Sequence, residues 1–242
     1  MTSRAPWPRR FYEPDGEAPR VTWALFGEWT PGSAEASLPA GVELLDLTPS
    51  DPRFPAFARK EGLGDRLGSD VPDLEEAVRE ARQARVLIGS VESPQTLDWL
   101  RALVEAALSQ FEAGGIAMLD ANGFRWWAED ELRARLIDER EPRHLVRWIA
   151  SSEGSAIWLR TAGLATFGRP DVSIRNLVPA DRPAAEEVLG RLVSLSVDGA
   201  RVPPGQEVGW DGRTWRCHPR SDGPDATAFA GNSWLELRRV GE

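Results

Sequence analysis

Two spacings of hydrophobic positions divide the chain into strands and helices. Residues 21–29 (Val-Thr-Trp-Ala-Leu-Phe-Gly-Glu-Trp) are β-branched and aromatic and run into the turn signal Thr30-Pro31-Gly32, which predicts a strand; a second short strand is predicted over Val42–Leu47. From Thr48 to Pro72 Pro, Asp, Gly and Arg predominate around one apolar scrap, Phe54, Phe57 and Ala58. So long a connection in a compact domain is either functional or mobile. Asp70 or Ser69 is placed to cap a following helix with Leu74, Ala77, Val78 and Ala81 on one face. Arg85–Gly89 reads as a buried strand. Ser93-Pro94 then starts a helix with Leu97, Leu100, Val104, Leu108 and Phe111 on one side, which stops at Gly114-Gly115. Ile116–Leu119 is the next apolar strand, so residues 85–120 form the strand–helix–strand unit of a right-handed crossover.

Trp126, Trp127, Leu132, Leu136 and Ile137 describe an aromatic anchor leading into a helix that ends near Arg140, before Pro142. The runs His144–Ser151 and Ala156–Thr161 flank Ser152-Glu153-Gly154-Ser155, the pattern of a hairpin. Val172–Leu177 is a further strand, and Asp181 can cap a helix carrying Val188, Leu189, Leu192 and Val193. After the Pro203-Pro204-Gly205 turn, Glu207–Trp210, Arg213–Cys217 and Trp234–Val240 alternate as strands. The expected organisation is an extended or disordered arm over residues 1–20 and one α+β domain over 21–242. That domain is built on a mixed, mainly antiparallel sheet with helices packed on it. Within it, residues 178–242 supply a helix and a β-rich appendage that pairs with the main sheet, being too short and polar to hold a core alone.

Composition narrows the setting. The 242 residues are 41% hydrophobic and 28% charged, ordinary for a globular protein and too apolar for a disordered one. No apolar run approaches the roughly 20 residues that cross a bilayer. The first residues carry Arg4, Arg9 and Arg10 among prolines with no apolar stretch behind them, unlike a secretory signal. Cys217 is the only cysteine, so no internal disulfide can form, and the expected location is the cytoplasm. A net charge of −9 opposes binding to nucleic acid and favours a neutral or basic partner.

Few residues offer chemistry. The two histidines, His144 and His218, are far apart in sequence, and His218 next to Cys217 on a strand points to the opposite face. Gly231-Asn232-Ser233-Trp234-Leu235 lacks the last glycine of a nucleophile elbow. The sole lysine, Lys60, has no phosphate loop before it, and Glu61–Gly68 misses the spacing of a nucleotide loop. Zinc ligation lacks His and Cys, and Asp222-Gly223-Pro224-Asp225 lacks the ligand spacing of a calcium loop. No catalytic residue, metal or cofactor is therefore assigned. Of eleven tryptophans, Trp23, Trp29, Trp148, Trp158 and Trp234 fall in strands and are expected in the core or on a sheet face; Trp126, Trp127 and Trp210 are the expected exposed ones.

The most specific local pattern is Trp158-Leu159-Arg160-Thr161-Ala162-Gly163-Leu164, followed by Phe167-Gly168-Arg169-Pro170-Asp171. It resembles the Thr-x-Gly-(Leu/Met)-x-x-Phe-Gly-x-Pro-(Asp/Glu) segment of uncharacterised bacterial domains that look related to suppressor-of-fused-like and toxin-immunity proteins. The resemblance extends over about Trp99–Leu195. It implies an intracellular α+β domain without known catalytic residues, some relatives standing in toxin-immunity contexts. Read physically, Thr161, Gly163, Leu164, Phe167, Gly168, Pro170 and Asp171 are structural: a strand exit, a core plug and the lead into the next strand.

The expected function is a non-catalytic protein-binding module, immunity-like, that occludes a partner through an acidic aromatic surface of Trp126, Trp127, Glu129, Asp130 and Glu131. The alternatives are a small-molecule hydrolase using paired carboxylates and an oligomeric scaffold that pairs strand edges between chains.

Overall fold

The computed structural model describes residues 7–13, 17–30, 37–54, 63–92, 95–210, 212–220 and 234–240. Its centre is strand β1 (Arg20–Gly27), whose side chains are buried on both faces. Trp23 and Leu25 join one core cluster and Ala24 and Phe26 another, as the twofold alternation of a strand requires. Around β1 lie β2 (Val42–Leu47), β3 (Gln83–Ser90), β4 (Gly115–Asp120) and β5 (Arg125–Trp127), in the order β2-β3-β1-β4-β5. All neighbours in this sheet are antiparallel. The strand–helix–strand unit is thus a split one. β3 and β4 both oppose β1 and run parallel to each other with β1 between them, joined by α3 (Asp98–Glu112). Leu97, Leu100, Val104, Leu108 and Phe111 are all buried, as the spacing predicts, but the helix starts at Asp98 and not at Ser93-Pro94, which lies outside the described residues, since residues 95–97 ahead of it are not helical.

One face of this sheet carries α1 (Leu63–Asp70) and α2 (Glu75–Glu80), with Phe54, Leu67, Val71 and Val78 against Phe26 and Trp126. Helix α1 falls inside the segment read as a connection, and Ser69 and Asp70 belong to it instead of capping a later helix. The other face packs on α3, on α4 (Glu129–Arg133) with its π-helical continuation Ala134–Asp138, and on a second sheet.

That second sheet holds β6 (Arg147–Glu153), β7 (Ala156–Ala162), β8 (Asp171–Leu177), β9 (Glu207–Trp210), β10 (Arg213–Arg220) and β11 (Trp234–Arg239), ordered β6-β7-β8-β11-β10-β9. The fold class is α+β with mostly antiparallel pairing, on two sheets where one was expected. The C-terminal strands pair with the strands before them, as expected, and are fully incorporated: β11 enters between β10 and β8 and pairs parallel with β8. Helix α5 (Arg182–Val197) buries Val188, Leu189, Leu192 and Val193 against this sheet. Asp181 makes no side-chain cap; its carboxylate pairs with Arg213 at 2.8 Å, tying the helix start to β10. His144 sits in a 3₁₀ turn (Pro142–Leu145) ahead of β6, not in a strand.

The first described residues are packed in place. Trp7 is buried and accepts a hydrogen bond from the Leu97 amide at 2.9 Å while its own amide donates to Asp98 at 3.2 Å. Arg9 and Arg169 are both buried, and both guanidinium groups donate to main-chain carbonyls. Arg9 donates to the carbonyls of Phe167, Ser196 and Val197, and Arg169 to those of Glu13, Gly168, Gly199 and Ala200. Several of these carbonyls close the C-terminus of α5, where cations are favoured. Burial, then the charge of Arg169, lowers Arg9 to about 10.

Candidate functional site

The surface expected around Trp126 and Trp127 is not a surface. Both indoles are fully buried. Alternation does send them to opposite sides of β5, but this sheet is covered on both sides: Trp126 packs 5.5 Å from the Phe26 ring, and Trp127 lies in the core cluster shared with the second sheet, under the Arg125 guanidinium. The neighbouring carboxylates are not free either. Glu131 pairs with Arg125 at 2.5 Å, and Glu129 pairs with Arg133, which also reaches Glu112. Asp130 is exposed and accepts the Glu131 amide. Trp23, Trp29 and Trp158 are buried, and Trp148 stands 38% exposed on strand β6. The side chains of Trp210 and Trp234 and the residues Asp222 and Asp225 lie outside what is described.

The segment that carries the resemblance is built as a structural corner. Asp171 is buried and accepts hydrogen bonds from Thr161 Oγ1 at 3.0 Å and from the Leu164 amide at 3.2 Å; Thr161 Oγ1 in turn accepts the Val172 amide at 2.9 Å. Gly163 and Gly168 have φ of +117° and +67°, and a Cβ on either would strike a backbone carbonyl, of Leu145 and of Glu17. Phe167 is fully buried between them, and Pro170 leads into β8.

Clefts gather instead around the segment from Glu139 to Trp148, where it passes between α3 and α5. One of about 750 Å³ is lined by Arg125, Glu139, Arg143, His144, Trp148 and Ser194, among others. Its wall includes β6, an edge strand, and the Trp148 indole lies near Gly190 of α5, where a Cβ would sit 3.8 Å from it. Next to it is a cleft of about 400 Å³ lined by residues including Trp7, Arg10, Leu97, Arg140, Arg143 and Val197. A third, about 300 Å³, shares Trp7 and Arg140 and adds Arg101.

Arg140 holds an unusual backbone conformation. The π-helical turn closes with the Glu139 amide on the Ala134 carbonyl at 2.9 Å and the Glu141 amide on the Arg135 carbonyl at 3.1 Å. Arg140 takes the left-handed position between them, φ +55°. That position ordinarily belongs to glycine or asparagine, and another residue there costs on the order of 1 kcal/mol. Residues after it are tied down. Arg143 grips Glu141 through two nitrogens at 2.7 and 2.6 Å, which lowers the Glu141 carboxyl, and also donates to Ser194 Oγ at 3.1 Å. Ser194 Oγ donates to the Gly190 carbonyl at 3.0 Å, so the geometry pins this hydroxyl without activating it. Arg10 and Arg140 make no hydrogen bond or ion pair among the described residues.

His144 Nε2 stands 3.6 Å from Glu139 Oε2 on the wall of the 750 Å³ cleft, whereas Asp120 and Cys217 lie away from all three. Burial raises Asp120 to about 7, but this carboxyl is fully enclosed and lines none of the three. Burial also pushes the Cys217 thiol up to about 11. Among the described residues no group of three or more His, Cys, Asp or Glu is placed to hold a metal ion, and no helix is long and apolar enough to cross a membrane.

Among the described residues, fold and site together define an α+β protein of two sheets with a mixed-charge, arginine-lined groove beside an edge strand. No family model matches the chain, nor does a curated protein or a solved structure.

Proposed function

We propose that the chain is a protein-binding module that takes an extended segment of its partner into the groove between β6 and α5. The observation that carries this reading is the exposed Trp148 on an edge strand that walls the cleft of about 750 Å³. An edge strand offers a row of unpaired backbone donors and acceptors to an added strand, and a large aromatic beside it supplies the side-chain anchor. The run Trp148-Ile149-Ala150-Ser151-Ser152 carries no charge or proline that would blunt pairing. Net charge alone points to a basic partner. The groove itself is mixed, with Arg125, Arg143 and Arg147 set against Glu139 and Glu141, so the docking segment needs both signs.

The reading is tested by affinity capture from an extract of the producing cells with wild-type and Trp148→Ala chains. A protein retained in stoichiometric amount by the wild type and lost from a variant of unchanged circular dichroism is the expected result. Equal capture by the folded variant removes the groove from consideration.

A further inference from the structure

We propose that the cleft between Trp7 and the Arg140 turn binds a small organic oxyanion, a phosphate monoester or a carboxylate, with its apolar body against Trp7. This inference stands independently of the strand-edge reading. Charge accounting in the cleft leads to it. Glu141 and Asp198 are its acidic wall. Glu141 is occupied by both guanidinium nitrogens that Arg143 turns toward it, and Asp198 sits in the field of Arg9 and Arg143. Arg10 and Arg140 line the same cleft with no partner among the described residues. Both are exposed at its rim, where an oxyanion entering the cleft meets two guanidinium groups not engaged elsewhere among the described residues.

The backbone makes a second, separate argument. Closure of the π-helical turn uses only the amides of Glu139 and Glu141 and the carbonyls of Ala134 and Arg135, so the turn itself has no need of an arginine side chain. A residue kept in a left-handed conformation that glycine would adopt without strain is the kind of outlier found where side-chain function outweighs local stability. Trp7 is fixed by its two backbone hydrogen bonds to Leu97 and Asp98, and Leu97, Pro142 and Val197 complete an apolar wall. The volume of about 400 Å³ falls in the range of small-molecule sites. Planar guanidinium groups bind carboxylate and phosphate oxygens in pairs, which sets the class of ligand.

The test is isothermal titration of the full chain with phenyl phosphate, phenylacetate and, as the neutral probe, phenol. Saturable binding of at least one anion and none of phenol is expected, and the tighter anion identifies the head group. Arg140→Gly should melt at a higher temperature than wild type yet bind that anion on the order of tenfold more weakly. Arg10→Ala should also weaken it, and Trp148→Ala should leave it unchanged. A wild-type chain that takes up neither anion, or an Arg140→Gly chain that melts higher and keeps full affinity, overturns the proposal.

Discussion

Asp120 ends β4 opposite Trp23, excluded from solvent, with the Asn122 amide on Oδ1 at 3.0 Å and no completed hydrogen bond on Oδ2. The Trp23 indole and the Gly123 amide direct favourable dipoles at it, but burial outweighs them and lifts the carboxyl from 3.8 to about 7. Between those values the folded chain holds a proton that the unfolded chain has lost. Stability therefore falls as pH rises through this window, and the loss is complete above it. Asp120→Asn should remove that slope, gaining on the order of 4 kcal/mol over wild type at pH 8 and little at pH 4, as read from urea midpoints. Such a carboxyl is invisible in sequence, where Asp120-Ala121-Asn122-Gly123 looks like an ordinary turn. The burial of Trp126 and Trp127 escapes the sequence for a related reason: alternation says that adjacent side chains diverge, and only the second layer on the far face of β5 says that both are covered. Arg140 gave no signal, since left-handed turns are recognised by glycine or asparagine.

Helix α1 shows how a polar contact can dock an element whose own sequence is a poor helix former. Gly64 and Gly68 lie within it, which is why the segment reads as a connection. Its last residue, Asp70, accepts Arg147 at 2.6 Å and the Trp126 amide at 3.1 Å, joining α1 to β5 and to β6 of the other sheet. Asp70→Ala should cost about 1.5–3 kcal/mol in chemical denaturation, because it strands a half-buried guanidinium and a backbone donor. Hydrogen exchange at the Trp126 amide should accelerate in the same variant. Where an element does carry its own periodicity, as in β1, β3, α3 and the β6–β7 hairpin, the sequence locates it closely. The partners of each strand depend on contacts far along the chain, and so the division into two sheets was not legible.

The two sheets share one core. Trp23, Leu25 and Trp127 from the first and Leu159, Ile174 and Cys217 from the second belong to a single buried cluster with α3 and α5. Such a molecule should unfold as one unit. Cys217 offers a direct check, since it is wholly buried in the second sheet and its thiol is held protonated. Its labelling by a thiol reagent in rising urea should share a midpoint with hydrogen exchange at the β1 amides, which report on the first sheet; labelling at lower urea would separate the two halves. The order β6-β7-β8-β11-β10-β9 also bears on synthesis. The first sheet is complete once residue 127 has left the ribosome, but the second cannot close until residues 234–239 arrive to join its halves. At roughly 5–20 residues per second that interval is on the order of ten seconds. Throughout it, Trp23, Leu25 and Trp127 lack their final cover, so a nascent chain held at this stage is the form of the protein that most needs a chaperone.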